Sequence, residues 1–350
     1  MVPKLLAIFS LIGASWQMGP FERLNEGRPI ITPDREATFY CPVQKKGVSW
    51  EMAHTFNPAA IVADGQVHLI YRAEDDYGDG VGYHTSRLGL AMSSDGAYFE
   101  KRPEPILFPD NDPQAEWEFP GGCEDPRIVE TEDGTYVMTY TQWNRKVALL
   151  AIATSKDLIH WDKHGYAFEG ELPRRWSKSG SIVCRLEGDR LIATPIQGKY
   201  WMFWGEGDIH LAKSDDLIHW EPYKHSVLSP RKGYFDSALV EPGPPALLTE
   251  EGILLLYNGK NLAEGGDPSI KAGAYSAGQA LFSDKYLGLL KGRSYSSFLS
   301  PQTESEQKGQ YLGGTVFIEA LVPHKGHYYL YYGMADSSIG VARCPIEIAE

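Results

Sequence analysis

One design recurs five times along the chain: a glycine, a run of alternating apolar residues, then an aromatic or polar turn. It appears as GQVHLIYR (65–72), GTYVMTYT (134–141), GDRLIATP (188–195), GILLLYNG (252–259) and GHYYLYYG (326–333), with starts 69, 54, 64 and 74 residues apart. A second apolar run precedes each: FNPAAIV (56–62), CEDPRIVE (123–130), SGSIVCRL (179–186), PGPPALLT (242–249) and GGTVFIEALV (313–322). Between the two runs stand Asp64-Gly65, Asp133-Gly134, Gly188-Asp189, Glu251-Gly252 and Lys325-Gly326, pairs that suit tight hairpins. A third run follows at 86–96, 146–158 and 208–217, and two of these lead into nearly one phrase, SKDLIHWDKHG and SDDLIHWEPYKH. Turn signals at such short intervals exclude long helices. The expected fold is all-β: five four-stranded units forming a five-bladed β-propeller, one domain over 21–350, whose radial repetition protects the sheet edges.

Such a fold brings the mouths of its inner strands to one axial funnel. The residues at those mouths are Asn57, Glu124 with Asp125, Lys178 with Ser179, and Glu241 with Pro242. The ends of the second strands add Arg72, Tyr140 to Asn144, Asn258 and Asp336. Polar residues flanking the inner strands in every unit read as a site and not as a core.

Charge narrows what the site can hold. Lys plus Arg total 33 against 46 Asp plus Glu, a net charge of −13. Nucleic-acid binding needs clustered cations for counterion release, so it is not expected. No apolar stretch long enough to span a membrane follows the N-terminus. The first 16 residues, MVPKLLAIFSLIGASW, carry one Lys, an apolar run from Leu5 to Ala14 and small residues at its end, the shape of a short secretory signal. That predicts a periplasmic or secreted protein; a docked N-terminal helix in a cytoplasmic protein is the alternative. Cys41, Cys123, Cys184 and Cys344 form no metal-binding spacing, and allow either two disulfides or four separately buried thiols.

No nucleophile triad, phosphate-binding loop, dinucleotide fingerprint or zinc motif occurs in a suitable context. Carboxylates beside glycines and aromatics stand out instead. GGCEDPR (121–127) sets Glu124 and Asp125 behind two glycines and before a proline. WGEGD (204–208) places Glu206 between glycines near Trp201, Phe203 and Trp204, and VEPGPPA (240–246) places Glu241 before a rigid turn. Cleaving a glycosidic bond takes two carboxyl groups, one to protonate the leaving oxygen and one to activate water. Exposed aromatics supply platforms for sugar rings. The acidic runs Glu74-Asp75-Asp76 and Asp110-Asn111-Asp112 offer calcium-type oxygens but read as solvated loop charges, so neither metal nor cofactor is expected.

FNPAAIV, YRAEDD, HTSRLGLAMSSDG, GGCEDPR, YTQWN, TSKDLIHW and YYGMADSSIGVA together resemble glycoside hydrolase family 130, over about residues 25–345. That family contains β-mannoside phosphorylases and β-1,2-mannosidases on a five-bladed propeller. The resemblance implies a β-mannoside partner cleaved with inversion. It makes Asp125 the general acid, passing its proton through the mannose 3-hydroxyl, and makes Arg72 and Asp336 residues that hold the sugar near the scissile bond. Asn57, His84, Arg87, Glu124, Tyr140, Gln142 and Asn144 are the further expected sugar contacts.

Phosphate or water is then a question of charge. A phosphorylase must hold a dianion, which needs two or more cations at the anomeric carbon. The family's phosphorylases carry a cation before the Gly-Pro-Pro turn, where this chain has Glu241; Glu206 is a second acid on the same approach. The expectation is an inverting exo-β-1,2-mannosidase with Asp125 as acid and Glu206, Glu241 or both as base. Arg174, Arg175, Lys178 and Lys199 could still build an anion site, which keeps a phosphorylase as the alternative; a mannoside-binding propeller without catalysis is the third reading. Oligomeric state is not legible in the sequence.

Overall fold

A computed structural model describes residues 16–78, 80–168, 170 and 174–346. The expected leader, apart from Trp16, lies outside the described residues. The chain is all-β. Its described α-helices are single turns, Ala115–Glu118 and Glu304–Gln307.

Strands pair antiparallel in five successive groups. The first holds His54–Ala63, Gln66–Glu74, Ser86–Ser93 and Glu100–Lys101. The second holds Gly122–Glu130, Tyr136–Trp143, Ala148–Ser155 and Asp162–Tyr166. In the third, Ser181–Glu187 pairs with both Arg190–Ala193 and Tyr200–Trp204, followed by Ile209–Ser214 and Trp220–Leu228. In the fourth, the proline turn splits the inner strand into Leu239–Pro242 and Ala246–Thr249, both paired with Gly252–Lys260; Tyr275–Phe282 and Leu290–Arg293 follow. The fifth holds Val316–His324, His327–Met334 and Ser338–Pro345, and its outer strand is Glu22–Arg23 from the other end of the chain.

The glycine-led repeats are the second strands of these groups, and the hairpin turns form where expected. Asp64-Gly65 and Lys325-Gly326 have positive φ at both residues (50° and 72°; 47° and 78°), the conformation that matches strand twist in two-residue hairpins. Adjacent groups touch through short parallel contacts: Ser86 to Gly122, Ile192 to Glu130, and Val183 with Cys184 to Ala246 with Leu247. The fifth group meets the first where the Thr55 amide donates to the Ser337 carbonyl. Aromatic pairs fill the wedges between groups, as with Phe203 against Phe282 at 4.9 Å and Phe168 against Trp204 at 4.6 Å. Such pairs add about 0.5–1.5 kcal/mol beyond their buried area.

All four cysteines are buried and none forms a disulfide, the separate-thiol alternative. The acidic runs depart from the expected solvated loops. Glu74 and Asp75 are buried, because each neutralises a buried guanidinium, Arg72 at 2.6 Å and Arg87 at 2.8 Å.

Candidate active site

The inner strands are distorted where they reach the axis. A bulge between Phe56 and Pro58 carries Asn57 at φ 46°, and one between Glu124 and Arg127 carries Asp125 at φ 48°. Ser179 at φ 57° and Asp336 at φ 53° extend the pattern to two more groups. Bulges re-aim side chains, and non-glycine residues at positive φ persist only where the surroundings hold them. Gly122 shows why the GGCEDPR motif needs its second glycine: at φ 115° a Cβ there would stand 2.1 Å from the Ser86 carbonyl oxygen.

These residues converge. Asp125 accepts from Asn57 Nδ2 at 2.9 Å and Arg72 Nη1 at 3.1 Å, and its other oxygen faces Lys178 Nζ at 3.3 Å. Arg72 also pairs with Glu124 at 3.0 Å. Burial alone would raise Asp125, but Lys178 and Arg72 outweigh it and hold the carboxyl below the usual range. Glu124 goes the other way: burial and the adjoining Asp125 raise it to about 7 against the pull of Arg72. The two carboxyls titrate as a pair, with Glu124 the more readily protonated member.

Glu241 accepts the Ser179 hydroxyl and is raised to about 7, first by burial and then by repulsion from Glu206. Glu206 is exposed and accepts the Trp176 indole N–H at 2.7 Å. Burial also raises Asp336 to about 7, with Arg72 opposing it. Beneath them Arg127 donates to the backbone carbonyls of Asp125, Pro242 and Gly243, so one guanidinium ties the Asp125 strand to the Glu241 strand. Its countercharge is Glu319, at 3.1 Å.

All five acids, Glu124, Asp125, Glu206, Glu241 and Asp336, line one cavity of about 290 Å³. Its lining includes two cations, Arg72 and Lys178, both already facing carboxylates. Phe56, Trp143, Trp176, Tyr275, Tyr311 and Phe317 supply its aromatic surface. A polyhydroxylated ring suits this lining, since carboxylates accept hydroxyl protons while aromatic faces pack the C–H surface.

Of the residues singled out in the sequence, Asn57, Arg72, Glu124, Asp125, Glu206, Glu241 and Asp336 line the cavity. The others are placed elsewhere. Arg87 is fully buried between Asp75 and the Phe39 ring. The Tyr140 hydroxyl and the Gln142 amide donate to buried Glu118. Asn144 caps a turn, accepting from the amides of Lys146 and Val147. His84 is buried edge-on to His54. Each is held by neighbours in the second or first group, so their place in recognisable motifs reflects scaffold contacts. Among the candidate anion-site residues, Lys178 reaches the cavity, while Lys199 pairs with Asp215 and Arg174 lies over Trp117.

Trp176, Gln310, Tyr275 and Tyr311 line the cavity but were not singled out. Trp176, Gln310 and Tyr311 sit in connections and Tyr275 opens the strand Tyr275–Phe282, all outside the repeated runs, where periodicity carries no signal. Trp143, within the stretch from Tyr140 to Asn144 at the end of its strand, also lines the cavity.

The family profile described as glycosyl hydrolase 130, β-1,4-mannooligosaccharide phosphorylase, matches residues 29–349. A 1,2-β-oligomannan phosphorylase of Thermoanaerobacter sp. (strain X514) is 34% identical over 92% of this chain and 96% of its own. A solved putative glycoside hydrolase from Parabacteroides distasonis is 49% identical, with TM-score 0.93 over 96% of this chain and 99% of its own. Another solved structure, 46% identical with TM-score 0.93 over 97% and 98% of the two chains, is presented with the statement that the family of mannoside phosphorylases contains hydrolases targeting β-1,2 mannosidic linkages in Candida mannan.

Proposed function

The chain belongs to glycoside hydrolase family 130, and from that premise we propose that it is an inverting exo-β-1,2-mannosidase releasing mannose from β-1,2-linked mannosides. The observation that carries this reading is the acid excess of the cavity, five carboxyl groups against two cations that already face carboxylates. A phosphate dianion entering it would meet uncompensated repulsion, whereas water needs only a base. The linkage follows the relatives, one a 1,2-β-oligomannan phosphorylase and one presented with β-1,2-mannan hydrolysis.

Asp125 serves as general acid through the mannose 3-hydroxyl, and Glu241 as base, with Glu206 orienting the same water. Asp125 is ionised in the free protein, so it must first gain a proton, and Glu124 is the adjoining store. Arg72 and Asn57 hold Asp125 in place. Arg127 sets the spacing of acid and base by tying their two strands.

Phosphorolysis is the second reading, favoured by the phosphorylase names of the curated relatives and by Lys178 at the cavity wall. Incubation with β-1,2-mannobiose, with and without phosphate, separates the two. The expected product is mannose in both cases; mannose 1-phosphate formed only with phosphate overturns hydrolysis.

We propose further that the five strand groups are the blades of a propeller, which the contacts from each group to the next and from the fifth to the first support. Residues 1–16 are proposed to be an export signal. N-terminal sequencing of the protein from its host is expected to start beyond them; retention of Met1 or Val2 refutes export by this route.

A further inference from the structure

Outside the cavity, three side chains with metal-ligand chemistry meet around Glu74. His54 lies directly opposite Glu74 across the first hairpin, and Ser86 lies opposite it on the other side, two residues after His84. One donor atom from each of His54, Glu74 and His84 lies within 4.8 Å of the others. The three residues are far apart in sequence, so no local spacing announces them.

Two observations point to a cation. His84 is 8% exposed, and its Nδ1 has no hydrogen-bond partner among the described residues. An unpaired buried nitrogen costs about 1–3 kcal/mol, so its persistence calls for a reason. Independently, Arg72 is shared by three carboxylates, Glu74 at 2.6 Å, Glu124 at 3.0 Å and Asp125 at 3.1 Å. Arg72 meets one oxygen of Glu74, and the other oxygen receives only the neutral Gln310 amide at 3.0 Å, which leaves it a lone pair for a cation. His54 is only partly buried, which gives an ion a way in.

We propose that His54, Glu74 and His84 bind one divalent transition-metal ion of the zinc class, with water completing its coordination. Two imidazoles and one carboxylate suit zinc, cobalt or nickel, while magnesium and calcium favour all-oxygen sites. None of the three residues lines the cavity, and no step of the hydrolysis runs through the ion. Its link to the reaction is indirect: Glu74 holds Arg72, and Arg72 holds Asp125.

The test uses the full-length protein stripped with chelator, titrated with zinc by calorimetry and with cobalt by visible absorption. The wild type is expected to take up one zinc at this site and to show cobalt ligand-field bands. His84→Ala and His54→Ala should each weaken zinc binding by roughly 100-fold or more, since changes even one shell further out cost 10–100-fold. Both should lose the cobalt bands while keeping the wild-type thermal transition without metal. Zinc should raise that transition in the wild type and in neither variant. His160→Ala, which removes an exposed imidazole paired with Asp157, should change nothing. Equal zinc uptake in the wild type and both variants, no uptake at all, or loss of the bands in His160→Ala alone overturns the site. The readout is metal binding, so failure here leaves the proposed reaction standing.

Discussion

The outer turns and the axial cavity both depend on carboxylates, and they use them in opposite ways. In the SKDLIHW and SDDLIHW turns the partners of Asp157 and Asp216 are local. Asp157 accepts from the amides of Ile159 and His160, and Asp216 accepts from those of Ile218 and His219, at the same 2.9 and 2.8 Å. At the axis the partners come from different strand groups: Asn57 and Arg72 from the first, Lys178 from the third, all meeting Asp125 of the second. Local partners satisfy a carboxylate and leave it low, as with Asp216 at about 2, where donors from His219 and its neighbours outweigh burial. At the axis burial, with acids crowded beside one another, raises Glu124, Glu241 and Asp336 to about 7, while the cations brought in from other groups outweigh burial and hold Asp125 low. Repetition marks scaffold; departure from repetition marks chemistry.

The sharpest way to break this contrast is at the two carboxyls assigned to the reaction. Asp125→Asn and Glu241→Gln should each lower kcat by roughly 10²–10⁴, the usual worth of a positioned acid or base. Binding of β-1,2-mannobiose, followed by calorimetry on the inactive variants, should persist. Turnover within tenfold of wild type in either variant removes that residue from its role.

Glu206 has a subtler effect because it acts partly through Glu241. A base must be ionised, so turnover should climb as pH rises through about 7, the value to which burial and Glu206 bring Glu241. Glu206→Gln removes the repelling charge, which lowers Glu241, so the acid limb of the kcat profile should move to lower pH. A limb that stays or moves upward shows that Glu206 does not tune the base. Smaller again is Trp176→Ala. Trp176 is 51% exposed at the cavity, edge-on to Trp143 at 5.7 Å. Loss of such a platform should raise KM by about 3- to 10-fold with a lesser change in kcat. An unchanged KM would mean that the sugar does not reach it.

The same contrast decides what could be read in advance. The five hairpins were legible because glycine, alternation and turn pairs are local signals. Asn57, Glu124, Asp125, Glu206, Glu241 and Asp336 were legible because they interrupt those signals or sit in motifs that resemble the family's. Arg87, Tyr140, Gln142 and Asn144 share those motifs yet hold the scaffold, since sequence does not tell a side chain aimed at the axis from one aimed between sheets. Lys178 was legible at a strand mouth and among the candidate anion-site cations, but its partner was not, and Asp125 of another group stands 3.3 Å away. Glu74 and Asp75 look like loop charges on paper and are buried in the fold because Arg72 and Arg87 of the same strand group neutralise them, a pairing that no charge pattern announces.

The smallest expected effect probes the scaffold side alone. Ser214 accepts from the amides of Asp216 and Leu217 at 3.1 and 2.9 Å, and Trp220 closes the turn by donating to the Leu217 carbonyl at 3.1 Å. Leu217 itself stands at φ 67°, and Leu158 at the matching place stands at 64°. A leucine in that region is unfavourable by about 1–3 kcal/mol, so the serine and tryptophan contacts must hold it there. Ser214→Ala removes one such contact and should destabilise the protein by about 1 kcal/mol, read as a small fall in Tm, with kcat and KM unchanged. Because Ser155 repeats the arrangement, Ser155→Ala should match it, and the two should add, their turns being separate. If either change instead lowers kcat tenfold at a temperature where the protein is folded, the outer turns feed the site. The division between repeated scaffold and unrepeated chemistry would then fail.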